Sequence, residues 1–262
     1  MNNNSIETEG FGLDYERYIL QKTIAHIVEK YNIENVLELP ASGVKAMPSI
    51  YSLGFGLAGC NVTLVNGVEQ SLYAWQNLGI RNNVSIVKCD NLEKTGLKES
   101  SYDLVWSFAI FSTLKNHKNI LQEMVRISRK YISIFSVNAH NPGYLSHRLA
   151  HFITKTPWSH GDTYFYRPKN VKKFFQDQHV KVLDIGFIDT PPWPDSIGFR
   201  DIRLHKLNMN LSNIQWHSRY VDYISNNQLP AWIKLIYIFE KLPMANIIKK
   251  YYAHLFYVIG KI

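Results

Sequence analysis

Two groups of residues in this chain combine types and positions suited to chemistry. The first is a series of polar groups at the ends of short apolar runs: Glu38 in NVLEL (35–39), Asn66-Gly67 after NVTLV (61–65), and Asp90-Asn91 after SIVKC (85–89). The turn Leu39-Pro40-Ala41-Ser42-Gly43-Val44 lies between the first two. A ligand carrying a ribose needs a close backbone turn, a helix amino terminus and a polar group on the neighbouring strand, and this series offers candidates for each. The second group is histidine. His140, just past YISIFSV (131–137), and His160, beside Gly161 and Asp162, are the candidate catalytic bases, because an imidazole near neutral pKa can deprotonate a hydroxyl, thiol or amine. His147 and His151 stand four apart, a spacing that suits a metal pair, but no third ligand is evident in the sequence. A solvated helix face accounts for them, and no metal is expected.

These residues need a framework, and the hydrophobic period supplies one. A helix is expected over 14–31, with Ile19, Leu20, Thr23, Ile24, Ile27 and Val28 on one face. Strands are expected at 35–39, 61–65, 85–89, 102–108, 131–137 and 181–188, and helices at 48–58, 70–78, 116–128 and 170–178. Strands alternating with helices imply parallel crossovers, hence a doubly wound α/β sheet. Ligands then bind at the carboxyl ends of the strands, where both groups of residues lie.

Composition removes several classes. The 262 residues are 46% hydrophobic and 19% charged, which is too apolar for a disordered chain. Cys60 and Cys89 are too few for a disulfide scaffold and lack metal-ligand spacing. The start MNNNSIETEG has no secretory pattern, and no stretch of about twenty apolar residues follows, so a cytoplasmic protein is expected. Residues 1–131 carry 13 basic and 13 acidic residues, so the net charge of +8 falls wholly in the second half, with eight of the ten histidines. A neutral framework with a basic functional half fits this better than a chain that wraps nucleic acid along its length.

VLELPASG, VTLVNG, VKCD and SYDLVWSF, in that order, resemble the class I S-adenosylmethionine-dependent methyltransferases of the type 11-like domain, over roughly 35–188 plus the last strand. The resemblance implies a Rossmann-like seven-stranded sheet, mostly parallel with an antiparallel last strand, and S-adenosyl-L-methionine as cofactor. It also implies roles. Glu38 would open the glycine-rich motif, Pro40, Ser42 and Gly43 would cradle the methionine part, and Asn66-Gly67 would meet the ribose. Asp90 and Asn91 would receive the adenine, Ser107 and Phe108 would lie under the cofactor, and Tyr18 on the first helix would help to lid it. The motif departs from E-x-G-x-G-x-G, with Pro40, Ser42 and Val44 where glycines are usual. Proline fixes φ and lacks an N–H, and Asn66 lacks the carboxylate usual at the ribose.

Methyl transfer from a sulfonium depends chiefly on proximity and orientation, so no conspicuous catalytic constellation is required. WSFAIF lacks both the Asn/Asp-Pro-Pro-Tyr signature of amino methylation on bases and the Pro-Cys of cytosine carbon methylation. One domain over 1–262 is expected: a cofactor-binding half (14–137), a substrate-side half (138–188), a helical insertion (189–252) and a closing strand (253–261). The insertion holds PPWP at 191–194 and the aromatic run LPAWIKLIYIFEKL (229–242), followed by Lys249 and Lys250. It reads as a packed cap, a lid over an anionic or amphipathic small molecule, or an interfacial helix making peripheral membrane contact. A small-molecule methyltransferase is the leading expectation. The alternatives are a binding protein that has kept the fold without catalysis, and an RNA methyltransferase, although nucleic acid is the less favoured partner. No G-x-G-x-x-G follows the first strand, which disfavours a nicotinamide enzyme.

Overall fold

The computed structural model describes residues 6–42, 46–190, 202, 215–243 and 246–262. Its strands are β1 (Ile6–Thr8), β2 (Asn35–Glu38), β3 (Asn61–Val65), β4 (Val84–Val87), β5 (Tyr102–Phe108), β6 (Ser128–Val137), β7 (Lys181–Ile188), β8 (Gln215–His217) and β9 (Leu255–Lys261). Seven of them form one sheet in the order β4-β3-β2-β5-β6-β9-β7, while β1 and β8 pair in parallel apart from it. The pairs β4-β3, β3-β2, β2-β5 and β5-β6 are parallel, and β9 runs antiparallel to both β6 and β7. The doubly wound, mostly parallel sheet with an antiparallel last strand is therefore present as expected.

Helices cover both faces, and side-chain alternation along the central strands feeds two cores. Val36, Leu104 and Trp106 face one layer, with α1 (Phe11–Tyr31), α2 (Leu53–Leu57) and α3 (Leu72–Asn77). Leu37 and Val105 face the other, with α4 (His117–Ile127) and α6 (Pro168–Asp177). A strand buried on both faces reads as a continuous apolar run rather than an alternating one, which is why these segments were legible as buried strands. On α4, Ile120, Leu121, Met124 and Ile127 are buried at helical spacing. Between β6 and α6 lies α5 (Pro142–Thr154), which starts where Asn141 accepts from the Gly143 amide and Pro142 occupies the first turn.

The expected helix over 48–58 shortens to α2. Ser49 has φ 61°, its hydroxyl donates to the Ala41 carbonyl at 2.8 Å, and it accepts from the Val68 amide at 2.8 Å. A residue committed in this way to two other segments cannot also continue a helix. Glycine within this segment serves packing: a Cβ on Gly56 would lie 2.6 Å from the Trp75 ring.

Beyond β7, the described part of the insertion comprises β8, α7 (Arg219–Ser225), α8 (Ala231–Lys241) and α9 (Asn246–Lys249), so the expected run of amphipathic helices is met there. PPWP at 191–194 lies outside the described residues. The insertion packs on α1: Phe11 stacks on Trp232 with centroids 4.0 Å apart, Tyr18 meets the edge of Tyr237, and the Tyr220 hydroxyl donates to Gln21. The Arg219 guanidinium reaches Asp14 at 2.8 Å, and burial nonetheless raises that carboxyl to about 6. Among the described residues no helix is long and apolar enough to cross a membrane.

Candidate functional site

The strand-end series converges as the fold requires, but its members do different work. Glu38 ends β2 with its carboxylate buried, accepting from the Ser52 hydroxyl at 2.6 Å, and that hydroxyl accepts from the Trp106 indole at 3.0 Å. Burial pushes the Glu38 carboxyl up to about 7 against the opposing Ser52 bond and Arg17 charge. Asn66, at φ 57°, has both ends of its amide engaged: its Nδ2 donates to the Cys89 carbonyl and its Oδ1 accepts from the Cys89 amide, each at 2.8 Å. It thus ties the ends of β3 and β4, using one of the two amide hydrogens and one of the two oxygen lone pairs. Gly67 packs where a Cβ would lie 3.0 Å from Leu64 and 3.1 Å from Ile86. Asp90 is exposed, and Asn91 turns the chain by accepting from the Glu93 amide at 2.8 Å.

The turn after β2 begins with a cis Leu39-Pro40 bond, and the Ala41 amide, which a glycine-rich turn would aim at a ligand, donates to the Val65 carbonyl at 2.7 Å. Pro40 is buried and Ser42 half-buried, while Gly43 lies outside the described residues. The segment beyond the turn is clamped from the amino-terminal side. Arg17 donates to Glu9 at 2.6 Å and to the Met47 carbonyl at 3.1 Å, Glu9 accepts from the Met47 amide at 3.1 Å, and the guanidinium lies 3.9 Å from the centre of the Tyr51 ring. Tyr51 in turn stacks on Phe108, centroids 4.2 Å apart, at the end of β5. A buried ion pair of this kind fixes geometry more than it adds stability. Tyr18 lies against Tyr237 of α8, so the first helix is itself covered by the insertion.

Next to Phe108 a cleft opens at the carboxyl ends of the strands, with about 990 Å³ of empty space including its mouth. Glu16, Tyr51 and Phe108 line one side, and Tyr144, His147, Trp158 and His160 line the other. Ser107, fully buried beside Phe108, is outside the lining. Of the two expected bases, His160 lines this cleft and His140 does not; His140 instead lies edge-on to Tyr251, and burial with the Lys250, Arg167 and Lys169 charges lowers its pKa. Asn138 and Asn141 form part of the wall, with amides donating to the Lys250, Ala253 and Tyr252 carbonyls at 2.6, 2.8 and 2.6 Å.

His160 is held by its backbone. Its carbonyl accepts from the Ser112 hydroxyl at 3.0 Å and from the Tyr166 hydroxyl, and Gly161 follows at φ 83°. A Cβ on Gly161 would lie 2.2 Å from the Ser112 carbonyl oxygen, so this close approach requires glycine. His160 faces two more imidazoles: Nε2 atoms of His147 and His151 lie 2.9 Å apart, and one ligand-capable atom from each of the three histidines falls within 4.8 Å of the others. The helix spacing of His147 and His151 was legible, but the third imidazole comes from a different segment that the sequence could not bring near.

A third histidine of the cleft lining is not evident in the sequence. His254 donates from Nδ1 to Asp189 Oδ2 at 3.1 Å, since a carboxylate can only accept, and both residues line the cleft and are buried. The signal was register: Ile188 of β7 pairs with Leu255 of β9, so Asp189 and His254 are the next pair beyond the ladder. It becomes visible only once those two segments are known to run antiparallel.

These features define an α/β domain that carries a cleft at its strand ends. Residues 46–131 match the methyltransferase domain family. No curated protein matches the chain. The chain is similar in structure to a protein assigned as a sarcosine dimethylglycine methyltransferase from Galdieria sulphuraria, with a TM-score of 0.51 and 10% identity, covering 92% of this chain and 84% of that one. It is similar also to the MccD protein, at TM-score 0.51 and 13% identity over 91% of this chain and 96% of that one. A magnesium protoporphyrin IX methyltransferase from Synechocystis, solved with SAH bound, gives a TM-score of 0.50 and 12% identity over 66% of this chain and 77% of that one. The likeness read in the strand-end residues stands: this is the class I S-adenosylmethionine-dependent methyltransferase fold.

Proposed function

We propose that the protein is an S-adenosylmethionine-dependent methyltransferase that acts on a small molecule held in the cleft beside Phe108. The observation that carries this reading is the cleft itself, at the strand ends of this fold, with an Asp-oriented histidine in its wall. The lining suits a cationic cofactor: the carboxylates of Glu16 and Asp189 favour positive charge. Glu38, Ser42, Gly43, Asp90, Asn91 and Phe108 are the residues that would hold it, with Pro40, Gly67 and Ser107 shaping the floor and Tyr18 backing the helix above. Asn66 serves that end of the site through its amide, which fixes the β3 and β4 termini and keeps a second hydrogen and a second lone pair for the ribose. When bound, S-adenosylmethionine supplies an electrophilic methyl group on a sulfur that leaves as a neutral thioether.

The chain's own residues then have two tasks. Tyr144, Trp158 and His160 face the cofactor side of the cleft and position an acceptor. His254 takes the acceptor's proton, because Asp189 holds the Nδ1 hydrogen and thereby sets Nε2 as the basic nitrogen. An oxygen, nitrogen or sulfur acceptor of anionic or amphipathic character suits the basic second half of the chain. Incubation with methyl-labelled S-adenosylmethionine and separated small-molecule, lipid and RNA fractions tests the reading. Label in the small-molecule or lipid fraction supports it, label in RNA alone replaces it with the RNA alternative, and cofactor binding without any transfer favours the binding-protein alternative.

Peripheral membrane contact is favoured by one observation. α5 exposes Leu145, Leu149, Phe152 and Ile153 on neighbouring turns, and α8 exposes Leu235, Ile238 and Phe239, with Arg148, Lys155, Lys234 and Lys241 nearby in the chain. Apolar residues flanked by basic ones are the pattern of a helix lying in an anionic lipid surface.

A further inference from the structure

We infer that His147, His151 and His160 form a binding site for one divalent transition-metal ion of the zinc class, with an open coordination position toward the cleft; the role given to the ion below rests on the methyltransferase reading. Three neutral imidazoles are a ligand set that zinc accepts, and three protein ligands leave one tetrahedral position for water or substrate. Metal–nitrogen bonds of about 2.0–2.1 Å at tetrahedral angles put ligand nitrogens about 3.3 Å apart. In the protein the His147 and His151 nitrogens stand 2.9 Å apart and one ligand atom from each of the three residues lies within 4.8 Å of the others, so shifts of an ångström or so in the side chains close the site.

The surroundings fit a ligand cage better than an incidental cluster. His151 donates from Nδ1 to the Thr156 carbonyl at 3.1 Å, which fixes the tautomer that leaves Nε2 with a lone pair directed at His147. His160 is delivered by a backbone that Ser112, Tyr166 and the Gly161 conformation determine. The Trp158 ring lies 5.3, 5.1 and 4.4 Å from the His147, His151 and His160 rings, an apolar wall on the three ligands. His147 and His160 line the cleft while His151 is buried, so the fourth position faces the space where an acceptor would sit.

An alcohol, phenol or thiol at that position would be made more acidic by the ion. Its proton passes to His254, the oxygen or sulfur lone pair forms a bond to the methyl carbon, and the methyl–sulfonium bond breaks with its electron pair kept by the departing sulfur. The ion itself is neither oxidised nor reduced, so no further reactant is needed.

Calorimetry of tag-free protein with Zn²⁺, and the visible spectrum of the Co²⁺-loaded protein, test the site without any need for turnover. One ion per chain and an intense four-coordinate cobalt spectrum are expected. His147→Ala, His151→Ala and His160→Ala should each weaken binding by more than the about 10–100-fold typical of losing an outer partner, and His26→Ala on the exposed face of α1 should leave it unchanged. Folded wild-type protein that binds no ion, or single variants that retain the cobalt spectrum, would overturn the inference. Binding of S-adenosylhomocysteine, measured in parallel, reports on the methyltransferase reading separately, so either can fail while the other stands.

Discussion

Asp189 and His254 are 65 positions apart in sequence and share a 3.1 Å hydrogen bond, because the ladder that pairs Ile188 with Leu255 delivers them side by side to the cleft wall. The relationship joins fold to the proposed chemistry: the antiparallel last strand belongs to the sheet, and the residue just before it is the proposed base. His254→Ala is expected to lower the methyl-transfer rate by about 100- to 10,000-fold, the usual contribution of a positioned base. Asp189→Asn should lower it less, through loss of the oriented tautomer. The His254→Ala variant should bind S-adenosylhomocysteine as the wild type does. A His254→Ala protein with unchanged turnover would remove the base from the account.

The pH dependence of stability should carry the signature of Glu38. Its carboxyl is raised by burial to about 7 in the folded protein, against 4.5 ordinarily. A carboxyl raised on folding contributes stability below its unfolded pKa, and that contribution is lost as pH rises through the folded value. Between pH of about 4.5 and 7 the wild type should therefore lose on the order of 3 kcal/mol from this group. Glu38→Gln keeps an acceptor for Ser52 and has no charge to bury, so its urea midpoint should change less over that window and exceed the wild-type midpoint above pH of about 7. Parallel pH profiles for the two proteins would contradict the assignment.

How much was legible in the sequence follows from where the information sits. The strands NVLEL, NVTLV and YDLVWSF are buried on both faces, so their apolar runs declared them, and the strand-end positions of Glu38, Asn66 and Asp90 came with them. The use to which each is put was not legible. Asn66 carries the polar type a ribose would need, but its amide also bridges to Cys89, a partner 23 positions on at the end of the next strand. Likewise β1 and β8 went unread, since three-residue strands from the two ends of the chain have no periodicity of their own and pair only after the insertion packs on α1. The joining of His160 to His147 and His151 depends on Gly161 approaching the Ser112 carbonyl, a tertiary contact with no local pattern.

Asn66 gives the sharpest contrast with the usual acidic residue of this fold family. In Asn66→Asp the Cys89 amide keeps its acceptor, but the donor to the Cys89 carbonyl is replaced by a carboxylate oxygen facing that carbonyl. A loss of about 1–3 kcal/mol is expected at neutral pH, read as a lowered urea midpoint. If the aspartate variant is as stable as the wild type, the amide bridge is not what joins the ends of β3 and β4.

The exposed apolar face of α5 should show itself with lipid. Co-sedimentation with vesicles containing anionic phospholipid is expected at low salt and should fall as salt is raised. Phe152 is 82% exposed, so Phe152→Asp should abolish sedimentation while leaving the thermal midpoint within a degree or so of the wild type. Wild-type protein that stays in the supernatant at low salt would end the membrane proposal and leave the small-molecule reading intact.

The central claim is that the cleft beside Glu16, Tyr51 and Phe108 belongs to an S-adenosylmethionine site. Calorimetric titration of the folded protein with S-adenosylhomocysteine tests it most directly. One binding site per chain is the predicted result, weakened by Tyr51→Ala, which removes the ring stacked on Phe108. Folded protein that takes up none of the ligand at millimolar concentration would contradict the account.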